Sequence, residues 1–115
     1  MELFTDAVTS AVERALDGVS ERQRVSADNV ANVNTPNFKA SRVEFEDSLS
    51  AAIQAGDPDA AQPTITAANT PANINGNNVM LDEETTTLIK SGLQYEALVN
   101  ALNYKLNLIR TAVER

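Results

Sequence analysis

Two groups of residues in this 115-residue sequence have types and spacings that could do chemistry. Glu44, Glu46 and Asp47 crowd together, and neighbouring carboxylates can divide the work of general acid and general base. They have no company. The sequence contains neither histidine nor cysteine, and nothing nearby supplies a nucleophile or an oxyanion clamp, so a solvated acidic face is the better reading. Asn73, Asn75, Asn77 and Glu84 fall at the first, third, fifth and twelfth positions of a calcium-loop template. Asn78 then occupies the glycine position, and the carboxylates the loop needs are missing. The glycines are scattered and build no phosphate-cradling loop. The sequence predicts no enzyme, no metal site and no cofactor.

Composition narrows the partners. A formal charge of −7 disfavours nucleic acid and anionic membrane surfaces, because no basic patch survives that background. No small-molecule substrate is indicated either. With 43% hydrophobic but only 4% aromatic residues, the interior should be small, aliphatic and helical. No apolar run approaches the roughly 18 residues of a membrane span. Glu2, Asp6 and Glu13 stand where a signal peptide would carry a basic region, so no cleaved leader is expected.

The strongest periodicity lies in the last third. Leu88, Gly92, Tyr95, Val99, Leu102, Leu106, Ile109 and Val113 follow at alternating steps of four and three, the spacing of a coiled-coil seam. Leu93, Leu98 and Ala112 widen the stripe. Asp82 is placed to cap this helix, Glu83 and Glu84 favour its N-terminal dipole, and Arg110 and Arg115 sit at the cation-favouring end. From about Asp82 the helix would run roughly 50 Å, longer than so short a chain can cover, so it needs partner helices. Gly92 costs about 1 kcal/mol in a helix interior but permits a neighbouring backbone to come close.

A second arm runs from Leu3 to about Val33, with Phe4, Val8, Val12, Ala15 and Val19 at the same spacing. Ser20 to Arg24 are polar on nearly every side, which reads as a solvated stretch or a polar contact between subunits. Pro36 forces Thr35 out of the helical region, so the helix ends by about Asn34, a residue type that tolerates the left-handed C-terminal conformation. Pro36 and Asn37 suit the two central positions of a tight turn with positive φ at Asn37, and Phe38 can fold back as an anchor. Asn29 and Asn32 share one helical face, ready to bond the returning chain.

The remaining segments are simpler. Residues 40–55 read as a short amphipathic segment carrying Val43, Phe45, Leu49 and Ile53, extended near Val43 and otherwise helical. Residues 56–74, rich in proline and alanine without periodicity, read as a mobile linker. Asn75-Gly76-Asn77-Asn78 is a turn leading through Val79 and Leu81 into the C-terminal helix. The segments are then 1–39, 40–55, 56–74 and 75–115. The fold class is all-α, with the two long terminal helices packing as an antiparallel coiled coil.

The run from Asn29 to Lys39 resembles the N-terminal signature of flagellar rod, hook and hook-associated axial proteins, which is close to Asn-Ile-Ala-Asn, two variable residues, then Thr-Pro-Gly-Tyr-Lys. Asn29, Ala31, Asn32, Thr35, Pro36 and Lys39 match it. Val30 and Phe38 are conservative replacements, and Asn37 stands where the family prefers glycine. A second stretch is similar to the rod proteins of that family through Gly76, Asn77, Val79, Leu81, Glu84, Leu88, Leu93 and Tyr95, with Asn75, Thr85 and Ser91 departing. At this length the chain is most similar to two short proximal rod proteins, and its Gly-Asn-x-Val entry into Leu-x-Tyr with an aliphatic tail favours one of them.

The resemblance implies a structural subunit of the bacterial flagellar basal body, exported by the flagellar type III apparatus without a cleaved signal peptide. It would polymerise helically on the periplasmic side. The implied partners are other copies of itself, other rod proteins, the hook–basal-body adaptor protein FliE, and the membrane-ring and export-gate proteins. A small secreted helical-hairpin binding protein shares the length and acidity, but its Trp-x-Gly turn has no counterpart in a sequence without tryptophan.

Overall fold

A computed structural model describes residues 2–114, with side chains from residue 7 onward. The elements in order are α1 (Glu2–Ala31), β1 (Ser41–Glu44), α2 (Glu46–Gln54), one 3₁₀ turn (Pro58–Ala60), β2 (Thr64–Ala67) and α3 (Leu81–Glu114). Ser26 of α1 meets Glu84 near the start of α3, while Gln23 stands beside Gly92 further along it. As one helix rises the other descends, so the two form an antiparallel hairpin.

The shape is a slab of 65 × 26 × 14 Å. Its radius of gyration of 17.7 Å exceeds the roughly 13 Å of a compact chain this long. Its accessible surface of 7745 Å² likewise exceeds the roughly 6100 Å² expected for this mass. Two helices side by side cannot enclose each other, and most of α3 stays open to solvent.

The buried apolar cluster is small: Val19 and Val25 from α1, Val43 from β1 and Phe45 from the strand-to-helix junction, with Leu49 and Leu98 packed against it. Phe45 takes the anchoring role that the sequence suggested for Phe38, which is only half-buried. Its ring lies over Gly18, where a Cβ would stand 2.6 Å from Cδ1 and nearer still to Cγ and Cδ2. Glycine is the residue that admits the ring there.

Arg22 clamps the same junction. Its guanidinium donates to both Glu46 carboxylate oxygens at 2.6 and 2.7 Å and to the Val43 carbonyl at 2.8 Å, and lies 4.8 Å from the Phe45 ring centroid. The hydrogen bonds from Arg22, helped by backbone N–H groups of Glu46 and Phe45, outweigh desolvation and hold the Glu46 carboxyl at about 2. The polar stretch of residues 20–24 is therefore divided. Glu21 and Arg24 pair on the surface while Arg22 turns inward.

Several expectations need correction. The chain is mostly helical but not strictly all-α, because β1 and β2 pair antiparallel from Ser41↔Ala67 to Glu44↔Thr64. The segment read as a mobile linker at 56–74 contains a strand and a 3₁₀ turn. Asp82 lies inside the first turn of α3, because the helix begins at Leu81 and Glu84 N–H already bonds the Met80 carbonyl at 3.0 Å. Helix α1 ends at Ala31, and Asn34 does not adopt the left-handed region; among non-glycine residues described, Asn37 alone does, with φ 63°. Gly92 faces the Gln23 side chain at ordinary contact, 3.6 Å from where a Cβ would sit, rather than a close backbone. Arg110 reaches Glu114 at 3.6 Å, and Arg115 lies outside the described residues.

Candidate functional site

The turn after α1, the loop before α3 and the first turn of α3 converge on one joint made of side-chain amides. The chain leaves α1 through a type II turn in which Phe38 N–H bonds the Thr35 carbonyl at 3.3 Å, with Pro36 and Asn37 at its centre and Asn37 supplying the positive φ. Gly76, with φ 84°, sits directly against it: a Cβ there would lie 3.3 Å from Asn37 Cα and closer still to Asn37 Oδ1. Asparagine at 37 is thus accommodated by glycine at 76.

Asn77, fully buried, is the pin. Its Nδ2 donates to the Asn32 and Thr35 carbonyls, both at 2.8 Å, and its Oδ1 accepts from Val79 N–H at 2.8 Å. These bonds fasten the turn after α1 to the entry of α3, and buried polar atoms left unpaired would cost far more than the bonds contribute. Asn78 does the same one step on. Its Oδ1 accepts from Ala40 N–H at 2.6 Å, and its Nδ2 donates to Thr70 carbonyl at 3.3 Å. Lys39 Nζ donates to the Gly76 carbonyl.

Asn29, 1% exposed, joins three segments. It embraces Ser41 like a neighbouring strand, Nδ2 donating to the carbonyl at 2.8 Å and Oδ1 accepting from N–H at 3.1 Å. The same Nδ2 reaches Glu84 Oε1 at 3.1 Å, while Ser26 Oγ donates to the other Glu84 oxygen. One edge of β1 is therefore closed by α1 side chains: Asn29 at Ser41 and Arg22 at Val43.

Of the signature residues, Asn29, Asn32, Thr35, Phe38, Lys39, Gly76, Asn77 and Val79 meet in this joint, with Val79 buried and Asn32 O and Oδ1 both engaged. Pro36 shapes the turn from an exposed position, and Ala31 is exposed. Ser26 and Thr70 are members that the sequence did not single out, and Asn78 was read as part of the turn. Beside the joint is a cleft of about 670 Å³ whose walls mix Arg22, Arg42 and Lys90 with Glu44, Asp82, Glu83 and Glu84. No cluster of metal-ligating side chains occurs among the described residues. The joint's donors and acceptors are spent on one another, which suits a mechanical fastening.

Along α3 the residues withdrawn from solvent are Glu84, Thr87, Leu88, Ser91, Gly92, Leu98, Val99, Leu102, Lys105 and Ile109. Five of these, Leu88, Gly92, Val99, Leu102 and Ile109, belong to the seam read from the sequence. Tyr95, Leu106 (49% exposed) and Val113 (80% exposed) remain open. Further round the helix, away from α1, Ile89, Leu93, Tyr104 and Leu108 are exposed too.

The family model for flagella basal body rod proteins matches residues 13–39, the latter half of α1 and the turn that forms one side of the joint. The flagellar basal body rod protein FlgB of Bacillus subtilis strain 168 is 32% identical, over 98% of this chain and 97% of its own length. The chain belongs to the FlgB family of flagellar basal body rod proteins. FlgB of Borreliella burgdorferi is 32% identical over 76% of the chain and 81% of its own length. FlgB of Escherichia coli K12 is 28% identical over 85% and 86%. Membership makes the protein a structural subunit of the proximal rod of the flagellar basal body, and the neighbouring rod protein FlgC is not favoured.

Proposed function

We propose that this subunit polymerises helically through α1 and α3, and that the asparagine joint fixes the two helices at the angle and register the polymer needs. The observation that carries this reading is the apolar surface left on α3. Large aliphatic and aromatic side chains recur along most of its length without cover, and an exposed apolar stripe of that extent marks a contact surface. The assembly seam is Leu88, Gly92, Tyr95, Val99, Leu102, Leu106, Ile109 and Val113. Its inner members pack on the chain's own α1, and its outer members meet helices of other copies as a coiled coil.

In this reading residues 1–39 and 75–115 build the polymer, while 40–55 and 56–74 pack on the outside of the hairpin. The rod joins the membrane ring and export gate to the next rod protein. The partners are copies of itself, other rod proteins, FliE, and the ring and gate proteins. The chain is exported without a cleaved signal peptide to the periplasmic side and performs no catalysis. Export and assembly separate in one experiment. In a strain whose only copy carries Leu106→Asp, secreted subunit should appear at normal level while purified basal bodies lack completed rods. Normal rods would remove α3 from the assembly surface.

A further inference from the structure

The Asn75-Gly76 dipeptide has a chemical property that the assembly reading does not use. Glycine has no side chain to shield its backbone nitrogen, so that nitrogen can attack the neighbouring asparagine side-chain amide. We infer that Asn75 is a spontaneous deamidation site that the folded joint keeps silent and that becomes reactive when the loop opens. In the reaction Gly76 N gives up its proton and bonds Asn75 Cγ, and the Cγ–Nδ2 bond breaks to release ammonia. Water then adds across either carbonyl–nitrogen bond of the cyclic imide, leaving aspartate or isoaspartate. The net change is water in and ammonia out, with no oxidant or reductant.

Asn75 is exposed, so access of water does not protect it. Hydrogen bonds do. Gly76 N–H donates to the Asn73 carbonyl at 2.9 Å, and ring closure must give that bond up. Asn75 Oδ1 accepts from Asn77 N–H at 3.1 Å, which holds the side chain. Asn75 carbonyl accepts from Asn37 N–H at 2.9 Å, which fixes the backbone between them. Attack requires Gly76 N–H to leave Asn73 and the Asn75 side chain and backbone to reorient against the other two bonds, so its rate follows the opening of the loop. The isoaspartate product cannot restore the original backbone of the joint. In isoaspartate the main chain runs through the former side chain, and the carbonyl that Asn37 bonded becomes a free carboxylate beside it.

The test incubates the full chain in heavy-oxygen water at mildly alkaline pH, with and without urea, and maps label incorporation at Asn75 by mass spectrometry of peptides. Labelling should be at least about tenfold faster in urea than in buffer. Equal rates would overturn the protection by the fold. Gly76→Ala, measured in urea where folding is irrelevant, should slow labelling by shielding the nitrogen; an unchanged rate would overturn the route through Gly76. Asn77→Ala in buffer should accelerate labelling towards the urea rate, and no acceleration would show that the joint's bonds are not what restrains Asn75.

Discussion

Asn29→Ala should loosen the whole hairpin from one point. The substitution leaves Ser41 N–H and C=O facing the vacated space and takes a donor from Glu84. A buried backbone group without a partner costs about 1–3 kcal/mol, and water entering the new space offsets part of that, so a net loss of about 2–4 kcal/mol is expected. At about 0.05–0.15 kcal/mol per residue, a chain of 115 residues holds only about 6–17 kcal/mol. The small apolar cluster places this one near the lower end. Urea unfolding followed by far-ultraviolet circular dichroism reads the loss as a fall in midpoint. Amide exchange reads its location, because Ser41 N–H should lose protection before the interior amides of α1. Asn29→Asp is the sharper companion. It keeps the oxygen that accepts from Ser41 but replaces the donor with a second oxygen facing Glu84, so it should destabilise at least as much at neutral pH. An unchanged midpoint in both variants would refute the view that this joint, rather than helix packing alone, fastens the two helices.

Other outcomes follow from the same geometry. Gly18→Ala gains about 1 kcal/mol of helix propensity but pushes a methyl into the Phe45 ring, and overpacking costs about 1–3 kcal/mol. The variant should melt below the parent, and Phe45→Leu added to it should restore part of the loss. Glu46 has a depressed folded carboxyl value, so its contribution is present above the ordinary value near 4.5 and disappears as pH falls through about 2. Its side chain is 57% exposed, so solvent screening keeps that contribution below about 1 kcal/mol. The wild-type urea midpoint should approach that of Glu46→Gln across this acidic window. Leu102→Asp puts a charge at a half-buried position and should lower the melting temperature of the isolated subunit, whereas Leu106→Asp should leave it nearly unchanged while blocking rods.

The two long helices were legible because a heptad needs only local spacing, and the turn at Pro36-Asn37 because proline and positive φ are properties of single residues. The strand pair was not. Ser41-Arg42-Val43-Glu44 has one buried apolar residue, and its partner lies beyond α2 and the 3₁₀ turn. The β-branched run Thr64-Ile65-Thr66 was the available signal, masked by the prolines on either side. On α3, apolar residues lie on much of the circumference, so spacing alone did not show that Tyr95, Leu106 and Val113 of the seam stay exposed while Ser91 and Leu98 are covered. In the joint, Asn29, Asn77 and Gly76 were recognisable as signature positions, but that Asn29 closes the edge of β1 could not be read without knowing the strand.

The central claim is that the exposed residues of α3 are covered by other copies in the rod. A side-chain-resolution map of the assembled basal body tests it directly. Leu106 and Val113 should be buried against helices of neighbouring subunits, with the Asn29, Asn77 and Glu84 contacts intact within each copy. A rod in which those two side chains face open space, or in which α3 separates from α1 at the joint, would contradict the account.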